Sequence, residues 1–173
     1  MVALGCTLAC AALEPADGLR RALAALGRRW LALDTEARQL EAQITALIST
    51  HAPKLLARHG VGAVTAAQLL VTAGANADRL HSDAALAALC GTSPVDASSG
   101  KTSRHRLNRG GDRAANNALW VIAHVRTLSD PRTRAFVAKR SATGNSGREI
   151  MRMLQRYIAR ELYPVIIEAL RPS

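Results

Sequence analysis

The chain has 173 residues, of which 49% are hydrophobic but only 3% aromatic, so its core must be built mainly from Ala, Leu, Val and Ile. Its formal net charge of +10 lies entirely in residues 98–173, which carry 15 Lys and Arg against 5 Asp and Glu. This excess indicates a polyanionic partner, most often nucleic acid, although such a charge can also merely keep a protein in solution. A membrane span is excluded, because no apolar run reaches about 18 residues.

Residues 1–18 form an apolar lead-in that we expect to belong to the core or to an interface. The opening letters, MVALGCTLACAAL, are short for a secretion signal and lack the basic residues that begin one. Cys6, Cys10 and Cys90 are odd in number and lack the paired spacing of a zinc site. These features indicate a reduced, cytoplasmic protein.

Residues 19–50 show the pattern of a coiled-coil helix. Apolar residues recur at alternating spacings of four and three, which places them along one seam with charged residues on both sides. A stripe of this length needs a long partner, so the pattern favours a homo-oligomer; packing against the chain's own domain is the alternative. The seam consists of Leu19, Leu23, Leu26, Trp30, Leu33, Ala37, Leu40, Ile44 and Leu47.

Residues 51–173 are predicted to form a compact helical domain, so the expected fold class is mainly α. A helix-hairpin-helix-like segment is expected near residues 56–72, where Gly60-Val61-Gly62 separates two apolar helical stretches. The glycines permit a tight turn, and the next helix then begins with free backbone N–H groups that can face a phosphate. Gly60 and Gly62 are therefore candidate nucleic-acid contacts, although such hairpins also serve only to pack helices.

The later helices are marked by their ends. Ser82 is the predicted N-cap of one helix and Gly91 its stop. Asp130 is predicted to end the helix that begins after residue 113. Pro164 is expected to kink or end the last helix. On that helix, four arginines spaced four apart share a face, which we interpret as a phosphate track or a solvated surface: Arg148, Arg152, Arg156 and Arg160.

Residues 98–113, SSGKTSRHRLNRGGDR, which we call the basic segment, place cations directly after a predicted loop. Pro94 and Gly100 bound that loop, so Ser98 and Ser99 are expected to lie on it. A serine can attack a phosphodiester if its proton is removed and cations hold the developing charge, but Ser-Ser-Gly is just as common in a surface turn. The basic side chains are Lys101, Arg104, Arg106, Arg109 and Arg113, with His105 among them.

The sequence contains no metal ligands that we can assign. It has no P-loop, GxGxxG or HExxH motif, so nucleotide-dependent and zinc-dependent enzymes lack their usual signatures. Acidic residues in the basic half are also too scarce for a two-metal nuclease site.

Several motifs in order resemble the C-terminal domain of the insertion-sequence 110 family of transposases. They are GVGAVTAAQLL, AALAALCGTSPVDASSGKTSRHRLNRGGDRAANNAL, SDPRTRAFVAKR and REIMRMLQRYIARELY, and the similarity runs from about Ala57 to Val165. The heptad helix also resembles the coiled coil that precedes this domain in the family.

The resemblance implies a serine recombinase. In the family, an N-terminal resolvase-like domain with four acidic residues holds Mg²⁺, and the C-terminal domain supplies a serine from a Ser-Gly motif. The two form a covalent phosphoserine link to DNA, guided by a structured RNA encoded by the element. Carried over, Ser99 is the nucleophile with Ser98 as its alternative, and His105 is a proton carrier or a polar contact. The implied DNA or RNA clamp consists of Lys101, Arg104, Arg106, Arg109 and Arg113.

The acidic domain of the family has no counterpart in this sequence. The Mg²⁺ that the resemblance implies would be bound by that missing domain and not by this chain. We therefore expect a truncated chain that cannot cleave strands alone. Two hypotheses remain. One is the catalytic C-terminal half of a DNA transposase, competent when an acidic domain is supplied in trans. The other is a non-catalytic module for nucleic-acid binding and dimerisation.

Overall fold

The computed structural model describes residues 15–96, 105, 106, 108 and 110–171. These residues are mainly α-helical, which confirms the expected fold class. A 3-10 turn at Ala77–Arg79 and two short strands, β1 (Val95–Asp96) and β2 (His105–Arg106), lie between helices. The helices are α1 (Pro15–His51), α2 (Pro53–Leu56), α3 (Ala63–Gly74), α4 (Asp83–Leu89), α5 (Arg113–Ser129), α6 (Pro131–Ala142) and α7 (Gly147–Leu170).

The chain divides into two compact units, Met1–Leu40 and Glu41–Ser173, and α1 contributes residues to both. In the first unit the predicted seam is exposed to solvent, with Leu26 and Trp30 each 64% exposed. No side chain between residues 16 and 40 is buried. The helix over this range therefore carries an uncovered apolar seam, and its pairing in a coiled coil stays a prediction.

The core of the second unit is built by α3, α5 and α7, with α4 packed against α7. Its fully buried side chains are Ala, Leu and Ile, as the composition predicts, together with Cys90, and each buried Leu or Ile contributes about 1.5–3 kcal/mol through burial. Ile48 of α1 is buried and Ile44 packs against the same core, so the last turns of α1 belong to this unit. The largest fully buried side chains are Leu55, Leu69, Leu86, Leu119, Ile122, Leu162, Ile166 and Cys90.

Short polar side chains begin helices at two predicted places. The Ser82 hydroxyl accepts the backbone N–H three residues on, at 3.1 Å, where α4 starts. The Asp130 carboxylate accepts the N–H groups of Arg132 and Thr133 where α6 starts. Each bond satisfies a backbone donor that a helix start leaves free. Both helix boundaries are thereby confirmed.

Helix α7 continues through Pro164 to Leu170, so the proline does not end the helix. Because proline has no N–H, the carbonyl one turn earlier loses its usual helical partner, and an interior proline costs roughly 3 kcal/mol. Leu162, Val165 and Ile166 on both sides of it are buried. Packing against the core therefore outweighs the local preference of proline.

Candidate nucleic-acid interface

A short antiparallel ladder brings together the two chain positions that bound residues 97–104. Val95 pairs with Arg106, and Asp96 pairs with His105. The chain therefore leaves β1 and returns at β2 side by side. The predicted residues Ser98, Ser99, Lys101 and Arg104 fall between these strands, outside the described residues. Arg109, which follows β2, also lies outside the described residues.

The end of the basic segment is fixed by a close approach of two glycines. Gly91, just after α4, has a φ of +65°, and a Cβ added to Gly111 would lie 2.1 Å from the Gly91 nitrogen. The next N–H, that of Asp112, donates to the Leu89 carbonyl oxygen at 2.7 Å. Gly111 has no room for a side chain. The segment therefore ends against the backbone at the end of α4.

Asp112, the acid within the basic segment, is an anchor between helices. Its Oδ1 accepts the N–H groups of Ala114 and Ala115 at 2.8 and 3.1 Å, which caps α5. Its Oδ2 accepts the hydroxyl of Thr72 in α3 at 3.0 Å. These hydrogen bonds, foremost that from Ala115, hold the pKa of Asp112 below its ordinary value of 3.8. The carboxylate thus joins α3 to α5.

Between α2 and α3, glycine is required at residue 60 but not at residue 62. Gly60 has a φ of +79°, and an added Cβ would lie 3.1 Å from Arg126 and 3.2 Å from the Ile122 carbonyl oxygen. Gly62 has an ordinary φ of −94°, and an added Cβ would meet only Thr65, at 4.0 Å. Gly62 has no side chain to cap α3, and its own backbone N–H donates to the Thr65 hydroxyl oxygen at 3.0 Å. Backbone N–H groups at this helix start are those a phosphate contact would use.

Arg126 of α5 holds this turn against the core. Its Nε donates to the His59 carbonyl oxygen at 2.8 Å, and its two terminal nitrogens donate to the Glu161 carboxylate at 2.7 and 3.1 Å. The same hydrogen bonds lower the pKa of Glu161. Arg126 is only 9% exposed, so it supports the fold rather than the basic surface. No local spacing signals a pair 35 residues apart, and sequence reasoning missed it.

A serine–histidine contact beside this turn is structural. His59 Nε2 lies 2.8 Å from the Ser129 hydroxyl oxygen. That hydroxyl donates its proton to the Val125 carbonyl oxygen, also at 2.8 Å, so the histidine nitrogen must be the donor to it. The ring therefore cannot act as a base toward Ser129 in this arrangement.

The predicted arginine stripe on α7 is interrupted by α4. Arg156 donates to the Asp83 carboxylate at 2.8 Å. Its guanidinium, with a smaller contribution from Arg160, holds the pKa of Asp83 below the ordinary value. Arg156 thus ties two helices together. For the other three arginines, a phosphate track and a solvated surface both stay predictions. Arg148 and Arg160 remain exposed.

The outer face of α5 carries an aromatic pair that sequence reasoning missed. The rings of Trp120 and His124 stack with centroids 5.1 Å apart and an interplanar angle of 6°. Trp120 is 44% exposed. Arg113, the predicted cation at the start of α5, is exposed and precedes Trp120 by seven residues, which places both on one face. The spacings of seven and four residues between Arg113, Trp120 and His124 could have predicted that they share one helix face.

The described residues do not fit a magnesium site. They contain no group of three or more His, Cys, Asp or Glu side chains that could hold a metal ion. Asp112 and Asp130 cap helices, and Glu161 pairs with Arg126. The Mg²⁺ that the family resemblance implies therefore has no ligand set in this part of the chain.

Cys90 is a core thiol. It is fully buried, and burial, helped by the nearby Asp112 charge, raises its pKa to about 12. A thiol so far from ionisation is a poor nucleophile. Within the described ranges, no helix is long and apolar enough to cross a membrane.

The fold and the site define a class: a mainly α-helical, cation-rich protein whose basic segment is held at both ends by backbone contacts. Comparison with known proteins is consistent with this class. Residues 52–138 match the Transposase IS116/IS110/IS902 family. The chain is also 36% identical to the insertion element IS110 uncharacterized 43.6 kDa protein of Streptomyces coelicolor, in an alignment of 129 residues that covers 72% of this chain.

The chain belongs to the IS116/IS110/IS902 family of transposases. This confirms, at the level of the family, the resemblance seen in the sequence. The chain spans 31% of the length of the Streptomyces coelicolor relative. The matched family region begins at the end of α1 and extends into α6, and so includes the Gly60 turn and the whole basic segment.

Proposed function

We propose that this chain is the DNA-binding and strand-exchanging half of an insertion-sequence transposase, with Ser99 as its nucleophile and Ser98 as the alternative. Its substrates are the DNA of the element ends and of the target, and a structured RNA of the element guides it. It acts in the cytoplasm, as a homo-oligomer joined through the coiled-coil seam. Membership of a transposase family supports DNA as the partner.

The observation that carries the proposal is that backbone contacts hold the basic segment at both ends against the residues between α4 and β1 and against β1 itself. Asp96 pairs with His105 at one end, and Gly111 packs on Gly91 at the other. Phosphoryl transfer depends on positioning, because a misplaced nucleophile loses much of its effective concentration. A segment tied at both ends also loses less conformational entropy when its cations meet phosphates.

The clamp of this proposal has two parts. One is the basic segment, where His105 makes a polar contact or carries a proton. The other is the turn before α3, where Gly60 and Gly62 allow a phosphate to approach the backbone N–H groups. The clamp cations are Lys101, Arg104, Arg106, Arg109 and Arg113.

Strand exchange then proceeds through an ester of the serine. The Ser99 oxygen attacks a DNA phosphorus as its proton leaves, and the bond from phosphorus to the departing sugar oxygen breaks. That oxygen takes up a proton, and a phosphoserine link to the other strand end remains. The clamp cations stabilise the negative charge that develops on the phosphate oxygens. Attack by a second sugar hydroxyl later releases the serine and rejoins the strands.

No step is assigned to Mg²⁺ here, because the described residues do not fit it. In this proposal an acidic domain outside this stretch of chain supplies that chemistry and completes the active enzyme. The second candidate function is a non-catalytic nucleic-acid-binding and dimerisation module. The exposed seam of α1 favours it, since association through a seam needs no chemistry.

The test combines binding with complementation. The full chain is titrated onto a labelled duplex of an element end across a salt series, and strand transfer is assayed with an intact family member whose own serine has been replaced. Ser99→Ala should abolish transfer and leave binding unchanged, while Ser98→Ala, the matched control, should retain both. Changing Arg104, Arg106 and Arg109 together to Ala should lower affinity and reduce the salt slope by about 3, roughly one per phosphate contact.

Retained transfer by Ser99→Ala with loss by Ser98→Ala would reassign the nucleophile. Binding without any transfer in the complemented reaction would favour the non-catalytic module. An unchanged affinity and salt slope in the triple variant would remove the basic segment from the clamp.

A further inference from the structure

Helix α6 differs in charge from α7, against which it packs. Residues Pro131–Ala142 include four Lys or Arg and no Asp or Glu, whereas α7 has three Glu beside its four arginines. Lys54, Arg126 and Arg156 elsewhere form ion pairs, but none of the four α6 cations pairs with an acid in the described part of the chain. Their charge is therefore uncompensated there.

Three of these cations lie on one side of α6. At about 100° per residue, Arg132, Lys139 and Arg140 fall within an arc of about 100° around the helix. Arg134 lies about 160° from Arg132, on another side. Arg132, Arg134 and Lys139 are all exposed. We call Arg132, Lys139 and Arg140 the α6 basic face.

Aromatic rings hold one cation of this face in place. The Arg140 guanidinium lies 5.4 Å from the centroid of the Phe136 ring, a cation–π contact. Phe136 meets Tyr157 of α7 edge to face, with ring centroids 5.6 Å apart. A cation that is held before binding loses less side-chain entropy when it meets a phosphate. Arg140 is therefore partly prepared for an anionic ligand.

We infer that the α6 basic face binds the sugar–phosphate backbone of duplex DNA, as a contact separate from the basic segment. The inference rests on the proposed DNA-binding function. Arg132 and Lys139 are seven residues apart, or about 10 Å along the helix axis. Along the axis of a DNA duplex each strand carries a phosphate about every 3.4 Å, so a helix lying along that axis would span roughly three phosphates of one strand over this distance. The spacing therefore suits a regular, charged strand.

The aromatic residues favour a duplex backbone over unpaired bases. Base stacking needs an exposed ring face, but Phe136 is partly buried and already holds Arg140. Its ring thus positions a cation instead of offering a platform for a base. The surface left to the ligand is formed by charged side chains, which bind phosphates without regard to base sequence.

The experiment measures binding of the full chain to a labelled element-end duplex by fluorescence anisotropy across a salt series. Changing Arg132, Lys139 and Arg140 together to Ala should weaken binding by about tenfold or more and reduce the salt slope by about 3. A control that removes the same charge elsewhere changes Arg28, Arg29 and Arg79, which are exposed, to Ala. It should leave the slope within about 1 of the unsubstituted chain.

A matched pair within α6 guards against a folding defect. Arg132→Ala should reduce the salt slope by about 1, whereas Arg134→Ala, two residues away and equally a surface arginine, should leave it unchanged. Thermal unfolding by circular dichroism confirms that each variant is folded. Equal effects of the two single substitutions would overturn the α6 basic face as the binding surface.

The outcomes separate this inference from the proposed function. If the unsubstituted chain does not bind the duplex, both fail. If it binds, and the variant of Arg104, Arg106 and Arg109 is weakened while the α6 triple variant matches its charge control, only the α6 contact is overturned. An α6 variant that keeps its affinity for the duplex but loses affinity for a labelled, folded RNA of the element would overturn the assignment to DNA.

Discussion

Two adjacent glycines, Gly110 and Gly111, have different roles at the end of the basic segment. A Cβ on Gly111 would overlap the backbone of Gly91, whereas one on Gly110 would first meet the Asn108 side chain at 3.4 Å. Gly111→Ala should therefore lower the free energy of unfolding by about 3 kcal/mol, because backbone must move to admit the methyl group. Gly110→Ala is the matched control and should change it by less than about 1 kcal/mol.

Urea unfolding followed by circular dichroism measures both glycine variants. Equal stabilities would show that the contact between Gly91 and Gly111 does not hold the segment. A destabilised Gly111→Ala that is still folded at low temperature should also bind duplex DNA less tightly, because the end of its basic segment is no longer fixed.

Gly62 distinguishes a phosphate contact from simple helix packing. Its backbone conformation suits any residue and it faces open space, so Gly62→Ser should keep or slightly raise stability, since serine is a better N-cap than glycine. The new hydroxyl would occupy the N–H groups that a phosphate would use. Weaker duplex binding by a fully stable Gly62→Ser variant is therefore expected, and unchanged binding would leave this turn with a packing role alone.

Residue-level predictions succeeded where the signal was local. Ser82 precedes an apolar stretch, so its capping role was readable from the sequence. Asp130 was predicted as the end of α5, and its role as the cap of α6 was not predicted. In the sequence, Asp112 was noticed only as an acid among cations. Its role in joining α3 to α5 was missed, because its hydrogen bond to Thr72 joins residues 40 apart. The bond between Arg126 and Glu161 was hidden for the same reason. Whether Ser99 is the nucleophile stays a prediction.

At the scale of elements, α1 carries the clearest prediction of self-association. Leu33→Lys, on the seam, should shift the chain toward the monomer, because pairing of the helices would bury the lysine charge at an unfavourable free energy. Leu31→Lys is the matched control, since Leu31 is 59% exposed against 52% for Leu33 but lies off the seam. It should leave association unchanged.

Two measurements report on the seam. Sedimentation gives the mass of each variant, and Trp30 fluorescence, read in a Trp120→Phe background, should shift to the blue as the concentration of the unsubstituted chain rises. Trp30 is 64% exposed in the single chain, so burial by a second copy would change its surroundings. A monomer at all concentrations, or equal behaviour of the two lysine variants, would contradict pairing through this seam.

The sequence predicted where helices begin and end better than it predicted which helices pack against each other. The start of α6 at Pro131 and the end of α4 before Gly91 were marked by residues with special backbone preferences. The course of α7 past Pro164 depends on buried residues, which no local rule weighs. The ion pair that Arg156 of the α7 stripe makes was not readable from the sequence, because its partner Asp83 lies 73 residues away.

For the whole molecule, the number of Lys and Arg side chains, 23, overstates the basic surface. Lys54, Arg126 and Arg156 are committed to carboxylates, and each joins elements distant in sequence. Among the described residues, the exposed cations left for a partner include Arg113, those of α6, and Arg148 and Arg160 of α7. The same ion pairs and caps make the stability of the fold depend on ionised carboxylates, which predicts how it responds to acid.

The pKa values of Asp83, Asp112, Asp130 and Glu161 are all lowered in the folded chain by hydrogen bonds, from ordinary values of 3.8 for Asp and 4.5 for Glu. A group whose pKa is lower in the folded state binds its proton more weakly there, so it stabilises the fold above its unfolded pKa. That contribution is lost as the pH falls through the folded value. These carboxylates therefore leave stability nearly constant from pH 7 to about 5 and reduce it steadily below about 4.5.

Glu161→Gln tests this acid dependence in urea unfolding at a series of pH values. Gln carries no charge to pair with Arg126, so the variant should be less stable than the unsubstituted chain at neutral pH, where Glu161 is ionised. The difference in stability should narrow as the pH falls below about 4.5 and Glu161 is protonated. Glu36→Gln, on the exposed part of α1, is the control and should show no gap at any pH. A gap for Glu161→Gln that stays constant into acid would mean that the bond to Arg126 does not stabilise the fold through the charge of Glu161, and that loss of shape complementarity accounts for the defect.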